Sequence, residues 1–263
     1  TRQLAVLAND LSNPYFAEII TGFENAAIDN NYLVSICTAQ REIENYIRRL
    51  IAQRIDGVFI VGVPPLSDEK YHEIIFNMVE AGIRVLINGI ILEDSKEISH
   101  IFVDHMTGID KAVSYLKSMG HTHIAMVSTF GRNSNFDIRD RMFFSAMDKY
   151  LPDSPKIFVS ETGIRNPDMD SSYSLTKRLL TDHPEVTAVI CLNDLMAYGV
   201  IQAAAYFNKS VPDELSVIGM DDIYISRNFN PTVTSIGFDK REYGMMAFEL
   251  LYNHIKKNIV KDI

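Results

Sequence analysis

The sequence predicts an α/β fold built on parallel sheets, and three observations predict it. Short runs rich in Val, Ile and Leu alternate with longer helical patterns nearly from end to end. These apolar runs show little in-and-out alternation, as expected of strands covered by helices on both faces. The candidate strands number ten, many for one open sheet in a chain of 263 residues, so two sheets of five or six strands are expected.

In chain order, strands are expected at 4–8, 33–37, 57–61, 85–87, 100–103, 124–128, 156–159, 188–192, 215–219 and 233–236. Helical patterns lie at 14–29, 41–53, 68–81, 105–118, 137–150, 170–182, 193–207 and 240–257. In the first of these, Phe16, Ile19, Ile20, Phe23, Ala26 and Ala27 fall on one face. Asn193 suits an N-cap, and Asp194 adds favourable charge in the first turn. The polar stretch 92–99 reads as the first passage between the sheets. The stretch "FNPT", 229–232, reads as the return, because Pro231 interrupts regular structure.

Composition narrows the function classes. The chain has 34 acidic and 25 basic residues, a formal charge of -9, which argues against this stretch being a main nucleic-acid grip. No apolar run approaches the ~20 residues of a membrane span. The start enters a strand pattern at once, unlike a signal peptide, and with the basic end "IKKNIVKDI" it reads as a cut end of a larger protein. Cys37 and Cys191, each closing a strand-like run, read as free buried thiols of a reducing cytosol.

Enzyme markers are missing. There is no G-x-S-x-G elbow, no P-loop and no G-x-G-x-x-G after a strand, so hydrolase, NTPase and dinucleotide enzyme each lose their usual sign. "GHTH", 120–123, has the form of a metal-site fragment, but no third His or Cys is near. A helix-to-strand turn accounts for it better. Neither a metal nor a cofactor is expected.

Ligands of open α/β sheets sit beyond the C-terminal strand ends. The residues expected there include Tyr15, Phe16, Asn88, Asn135, Arg139, Asn166, Asp168, Asn193, Asp194 and Asp221. Amides and carboxylates take hydroxyl hydrogen bonds, a guanidinium donates in a planar fork, and rings cover apolar faces; the set suits a neutral polyhydroxylated ligand. Plainer roles compete with this. Arg139 could pair with Asp137 or Asp140, Asn193 could be only a cap, Asn88 a turn residue, and Tyr15 or Phe16 core. The adjacent acids of "SVIGMDDI", 216–223, suggest one facing a ligand and one serving the turn.

Several stretches together resemble the effector-binding core of the LacI/GalR family of bacterial transcription regulators. They are "LSNPYFAEIITGFENAA", "LIAQRIDGVFIVG", "VLING", "IFVDHMTGIDKAVSYLKSMGHTHIAMV", "VICLNDLMAYGVIQAA" and "VPDELSVIGMDDIYISRNFNPTVTSI". They run in family order over nearly the whole chain. The resemblance implies two Rossmann-like subdomains of periplasmic-binding-protein type, joined by three crossovers, with the effector between them. It implies an N-subdomain of 1–102 with 233–263 and a C-subdomain of 103–232. It makes Asp221 the ligand carboxylate, Asn193 a second contact supported by Asp194, and Asp222 a support of the turn. Arg139, Asn135, Asn88, Tyr15 and Phe16 match family positions near the ligand, and Asn166 and Asp168 lie in a loop that covers it. Met142 stands where the family places Gly, and the stretch 38–44 is shorter than usual.

The expected function is therefore that of a cytoplasmic, non-enzymatic sensing core. It would bind a sugar or similar metabolite, form a homodimer, and control operator DNA through a helix-turn-helix not present in these residues. The rival from another class is the solute-binding protein of a sugar transport system, which shares the fold.

Overall fold

Parallel pairing organises the chain in the computed structural model, which describes residues 1–8, 10–38, 43–62, 68–89, 97–129, 138–161, 167–257 and 259–260. Among these, ten strands and nine helices alternate. They form two five-stranded sheets in two compact units, Thr1–Val103 with Asp239–Ile263, and Asp104–Phe238.

In the first unit the strands are β1 (Gln3–Ala8), β2 (Leu33–Thr38), β3 (Gly57–Ile60), β4 (Arg84–Asn88) and β5 (Ile98–Ile101). Their order is β2-β1-β3-β4-β5, all parallel. One face carries α2 (Ile43–Ala52) and α3 (Asp68–Glu80), whose Ile47, Leu50, Ile75 and Met78 pack with Ala5, Leu7, Val58 and Ile60 of the sheet. The alternate strand positions face the other way, where Phe23 of α1 (Pro14–Asp29) stacks on Phe59 at 5.2 Å. Phe248 of α9 (Lys240–Lys257) meets Phe23 edge-on at 5.7 Å. The start of α1 follows from the sequence "NPYF". Asn13 Oδ1 accepts the Tyr15 backbone N–H at 3.0 Å, and Pro14 occupies the first turn, where its missing N–H costs nothing.

The second unit contains β6 (Ile124–Val127), β7 (Ile157–Val159), β8 (Ala188–Cys191), β9 (Ser216–Met220) and β10 (Thr234–Ile236), in the order β10-β9-β8-β6-β7. Around it α4 (His105–Ser118) packs on α5 (Ile138–Tyr150), and α6 (Met169–Asp182) on α7 (Asp194–Tyr206). The latter pair approaches closely at Gly199, where a Cβ would lie 2.0 Å from Ser172 Oγ.

Four expectations need correction. Expected as part of the first passage, residues 98–99 belong to β5, which pairs with β4; the chain changes unit at 103/104. The return falls at 238/239, not at 229–232, because β10 hydrogen-bonds beside β9. Residues 233–238, grouped with the first unit by resemblance, therefore pair within the second. The short helix α8 (Tyr224–Asn228) was not foreseen. Lastly, β2 is an edge strand with an open side: Leu33 is 72% exposed and Ile36 41%.

Candidate functional site

In the second unit the C-terminal ends of β8 and β9 carry the polar residues expected to meet a ligand. Asn193 follows β8 in extended backbone and caps α7: its Oδ1 accepts the Met196 N–H at 2.8 Å. Its Nδ2 donates to the Pro167 carbonyl at 2.8 Å, and the side chain is 4% exposed. One amide hydrogen and one oxygen lone pair are left over by these bonds. Arg139, in the first turn of α5, donates from Nη1 to the Leu192 carbonyl at 3.0 Å, which fixes the guanidinium against the same strand end.

Asp194 turns inward. Its Oδ2 accepts the Ile223 N–H at 2.9 Å and the Ser226 hydroxyl at 2.6 Å, and its Oδ1 accepts the Ser235 hydroxyl at 2.5 Å. One fully buried carboxylate thus ties the start of α7 to the loop after β9 and to β10. Burial, and secondarily the charge of Asp222, raise its pKa above the ordinary 3.8, against the pull of these hydrogen bonds. Gly219 is required beside it, since a Cβ there would lie 2.1 Å from Asp194 Oδ1.

The two acids after β9 take different paths. Asp221 and Asp222 both adopt positive φ, 100° and 48°, a region that L-residues rarely occupy and that Asp tolerates better than most. Asp221 is 7% exposed and its backbone N–H donates to the Ile236 carbonyl at 2.9 Å. Asp222 receives Arg227 Nε at 2.9 Å and pairs with Nη2 of the same guanidinium. Its N–H donates to Ser235 Oγ at 2.9 Å. Asp222 serves the turn.

Asp168 is exposed and caps α6 in a reciprocal box with Ser171, accepting its N–H at 2.9 Å. Asn135 and Asn166 lie outside the described residues. "GHTH" forms a tie rather than a ligand set: His121 Nδ1 stands 2.8 Å from Thr187 Oγ1 and Nε2 3.0 Å from Ser216 Oγ, joining the starts of β8 and β9. Burial lowers its pKa. Among the described residues no group of three or more His, Cys, Asp or Glu is placed to hold a metal. Cys37 and Cys191 are both free, the first half-buried and the second buried.

In the first unit the ends of β3 and β4 are tied by neutral groups. Asn88, closing β4, donates from Nδ2 to the Val61 carbonyl at 3.0 Å and accepts the Tyr243 hydroxyl at 2.6 Å. Burial first, and then the neighbouring Tyr15, push the Tyr243 phenol up, so it stays protonated. Tyr15 and Phe16 meet edge-to-face at 5.1 Å in the first turn of α1. Tyr243 was missed by sequence reasoning. It reads only as one apolar position of a long helix, and nothing local signals that its hydroxyl reaches β4. A shallow cavity of about 600 Å³ lies at the opposite strand ends of this unit, beside Arg54, Asp56 and Arg84. There Asp56 is already engaged by the Thr1 amino group and the Arg2 N–H.

Two parallel α/β units, each with polar groups gathered at its C-terminal strand ends, define a ligand-binding core of periplasmic-binding-protein type. The profile of the periplasmic binding protein-like domain matches residues 113–262. The HTH-type transcriptional repressor PurR of Photorhabdus laumondii is 30% identical over 268 residues, covering 97% of this chain and 74% of the relative. That of Pasteurella multocida is 29% identical over 265 residues, with 98% and 75% covered. A LacI family transcriptional regulator from Enterococcus faecium, solved with bound ribose, superposes with a TM-score of 0.84 at 25% identity, covering 99% of this chain and 93% of that one. The chain belongs to the LacI/GalR family and forms its effector-binding core.

Proposed function

We propose that this chain senses a sugar or similar small polar metabolite on behalf of a cytoplasmic transcription regulator. One observation carries the reading. Asn193, Arg139 and Asp221 gather at the ends of β8 and β9, while the neighbouring Asp194 and Asp222 are consumed in holding the frame. In this reading Asp221 accepts ligand hydroxyls, Asn193 and Arg139 add amide and guanidinium contacts, and Asn88, Tyr15 and Phe16 act from the first unit. Asp194 and Asp168 position these groups without touching the ligand. No bond is broken.

Ribose in the Enterococcus faecium relative supports the ligand class, and the repressors at 29% and 30% identity favour a regulator over a transport protein. The effector acts by binding two arrangements of the protein with different affinity, a coupling of ~1–3 kcal/mol in such systems. Operator contact is assigned to residues outside this chain, in keeping with its charge of -9. A homodimer is part of the proposal, supported by the apolar, exposed side of edge strand β2. Light scattering tests it: a dimer at micromolar concentration is expected, and a monomer contradicts it.

A thermal-shift panel of monosaccharides, disaccharides, sugar phosphates and purines tests the sensing function. A ligand at ~100 times its Kd stabilises by about 2.7 kcal/mol. A selective shift among sugars is expected, and a silent panel contradicts the ligand class.

A further inference from the structure

We propose that Thr129 is a ligand-contacting residue of the second unit, its hydroxyl completed by a polar group of the bound effector. The proposal rests on the sensing function above and extends its ligand set.

The observation is an orphan. Thr129 is 2% exposed, and its Oγ1 is buried without a hydrogen-bond partner. Among the described residues of this unit, the other buried hydroxyls are satisfied. Ser172 donates to the Asp168 and Met169 carbonyls, Thr176 to the Ser172 carbonyl at 2.7 Å, and Ser226 to Asp194 at 2.6 Å. A hydroxyl taken out of water and left unbonded is costly, so its partner should come from outside the chain.

Its place in the fold says which partner. β6 ends at Val127, in register with Cys191 of β8. Ser128 still donates its N–H to the Val159 carbonyl at 2.9 Å, and Thr129 is the next residue out. Continuing the register brings residue 129 level with residue 193. Thr129 therefore extends the row of strand ends that holds Asn193, and Arg139 is fixed to the Leu192 carbonyl in that same row. A threonine hydroxyl donates one hydrogen bond and accepts two. Beside an amide with one hydrogen and one lone pair to spare, it suits a ligand hydroxyl, which both donates and accepts. The chemistry is that of a neutral polyol.

The test uses Thr129→Val, which keeps shape and removes the hydroxyl, and Thr129→Ser, which keeps the hydroxyl. D-ribose, D-glucose, lactose, sucrose and cellobiose are titrated into the wild-type chain, and the tightest binder into both variants. Thr129→Val is expected to raise Kd about tenfold, the effect of one buried hydrogen bond, with Thr129→Ser near wild type. Its ligand-free Tm should equal or exceed that of wild type, because no protein bond is lost. Unchanged Kd in Thr129→Val overturns the proposal while leaving the sensing function standing. A lower ligand-free Tm also overturns it, showing that the hydroxyl already has a fixed partner such as water. A wild type that binds none of the five sugars overturns the polyol reading and this assignment with it.

Discussion

At the strand ends of the second unit, one buried carboxylate organises three segments; at the ends of β3 and β4 in the first, an amide and a phenol do comparable work with neutral groups. Asp194 gathers Ile223, Ser226 and Ser235, whereas Asn88 joins Val61 to Tyr243. A charged acceptor takes several strong bonds at once but is expensive to bury. A neutral pair makes fewer bonds and is indifferent to pH. The frame of the second unit should therefore be the more sensitive to mutation and to acidity.

The largest expected effect is Asp194→Ala. Removing the acceptor of three donors that are buried or half-buried should cost at least ~3 kcal/mol in the second unit, measurable by urea unfolding. A loss below ~1 kcal/mol would put the organising role elsewhere. The sign of the pH dependence follows from the raised pKa. A folded-state value above the ordinary 3.8 means that folding favours the protonated carboxyl. Its contribution is complete below that ordinary value and is lost as pH rises through the raised one. Relative to Asp194→Asn, which does not titrate, wild type should gain stability as pH falls from neutral toward 4. A gap that instead widens with rising pH contradicts the assignment. Tyr243→Phe should show no such pH dependence.

Asp221→Asn comes next. Asn tolerates the positive φ that Ala would resist, so the frame stays intact while the charge is lost. Effector affinity should fall by ~1.5–3 kcal/mol, the worth of a hydrogen bond to a charged group. Unchanged affinity by calorimetry removes Asp221 from the ligand set. Asn193→Ala should cost ~1–2 kcal/mol of stability through the lost cap of α7, and weaken binding as well. If stability alone changes, Asn193 is only a cap. The smallest effect is Tyr243→Phe, ~1 kcal/mol in stability through the bond to Asn88.

Much of this was legible in one dimension. The Val/Ile/Leu runs and helical spacings located the ten strands within a few residues, because burial on both faces leaves a strong apolar signal. The five-residue α8 is too short to show a period. The exposure of β2 depends on its place at the sheet edge, which composition does not encode. The stretches read as passages, 92–99 and 229–232, lie short of the unit boundaries for a related reason: polar residues and Pro231 mark irregular backbone, but only pairing tells which sheet a strand joins. Position after a strand was enough to place Asn193, Asp194 and Asp221 at the ends of β8 and β9. Direction was another matter. Asp194 points inward because Ser226 and Ser235 wait there, from segments some 30 to 40 residues away in sequence. Of the adjacent acids, the structure gives Asp222 its turn-holding partner, Arg227, five residues on.

Hydrogen exchange of the chain, with and without the sugar giving the largest thermal shift, tests the central claim most directly. The account predicts added protection at the C-terminal strand ends of each unit, around residues 13–18, 86–89, 192–197 and 219–223. Protection confined to the opposite ends, beside Arg54 and Arg84, would contradict it and move the ligand to the cavity there.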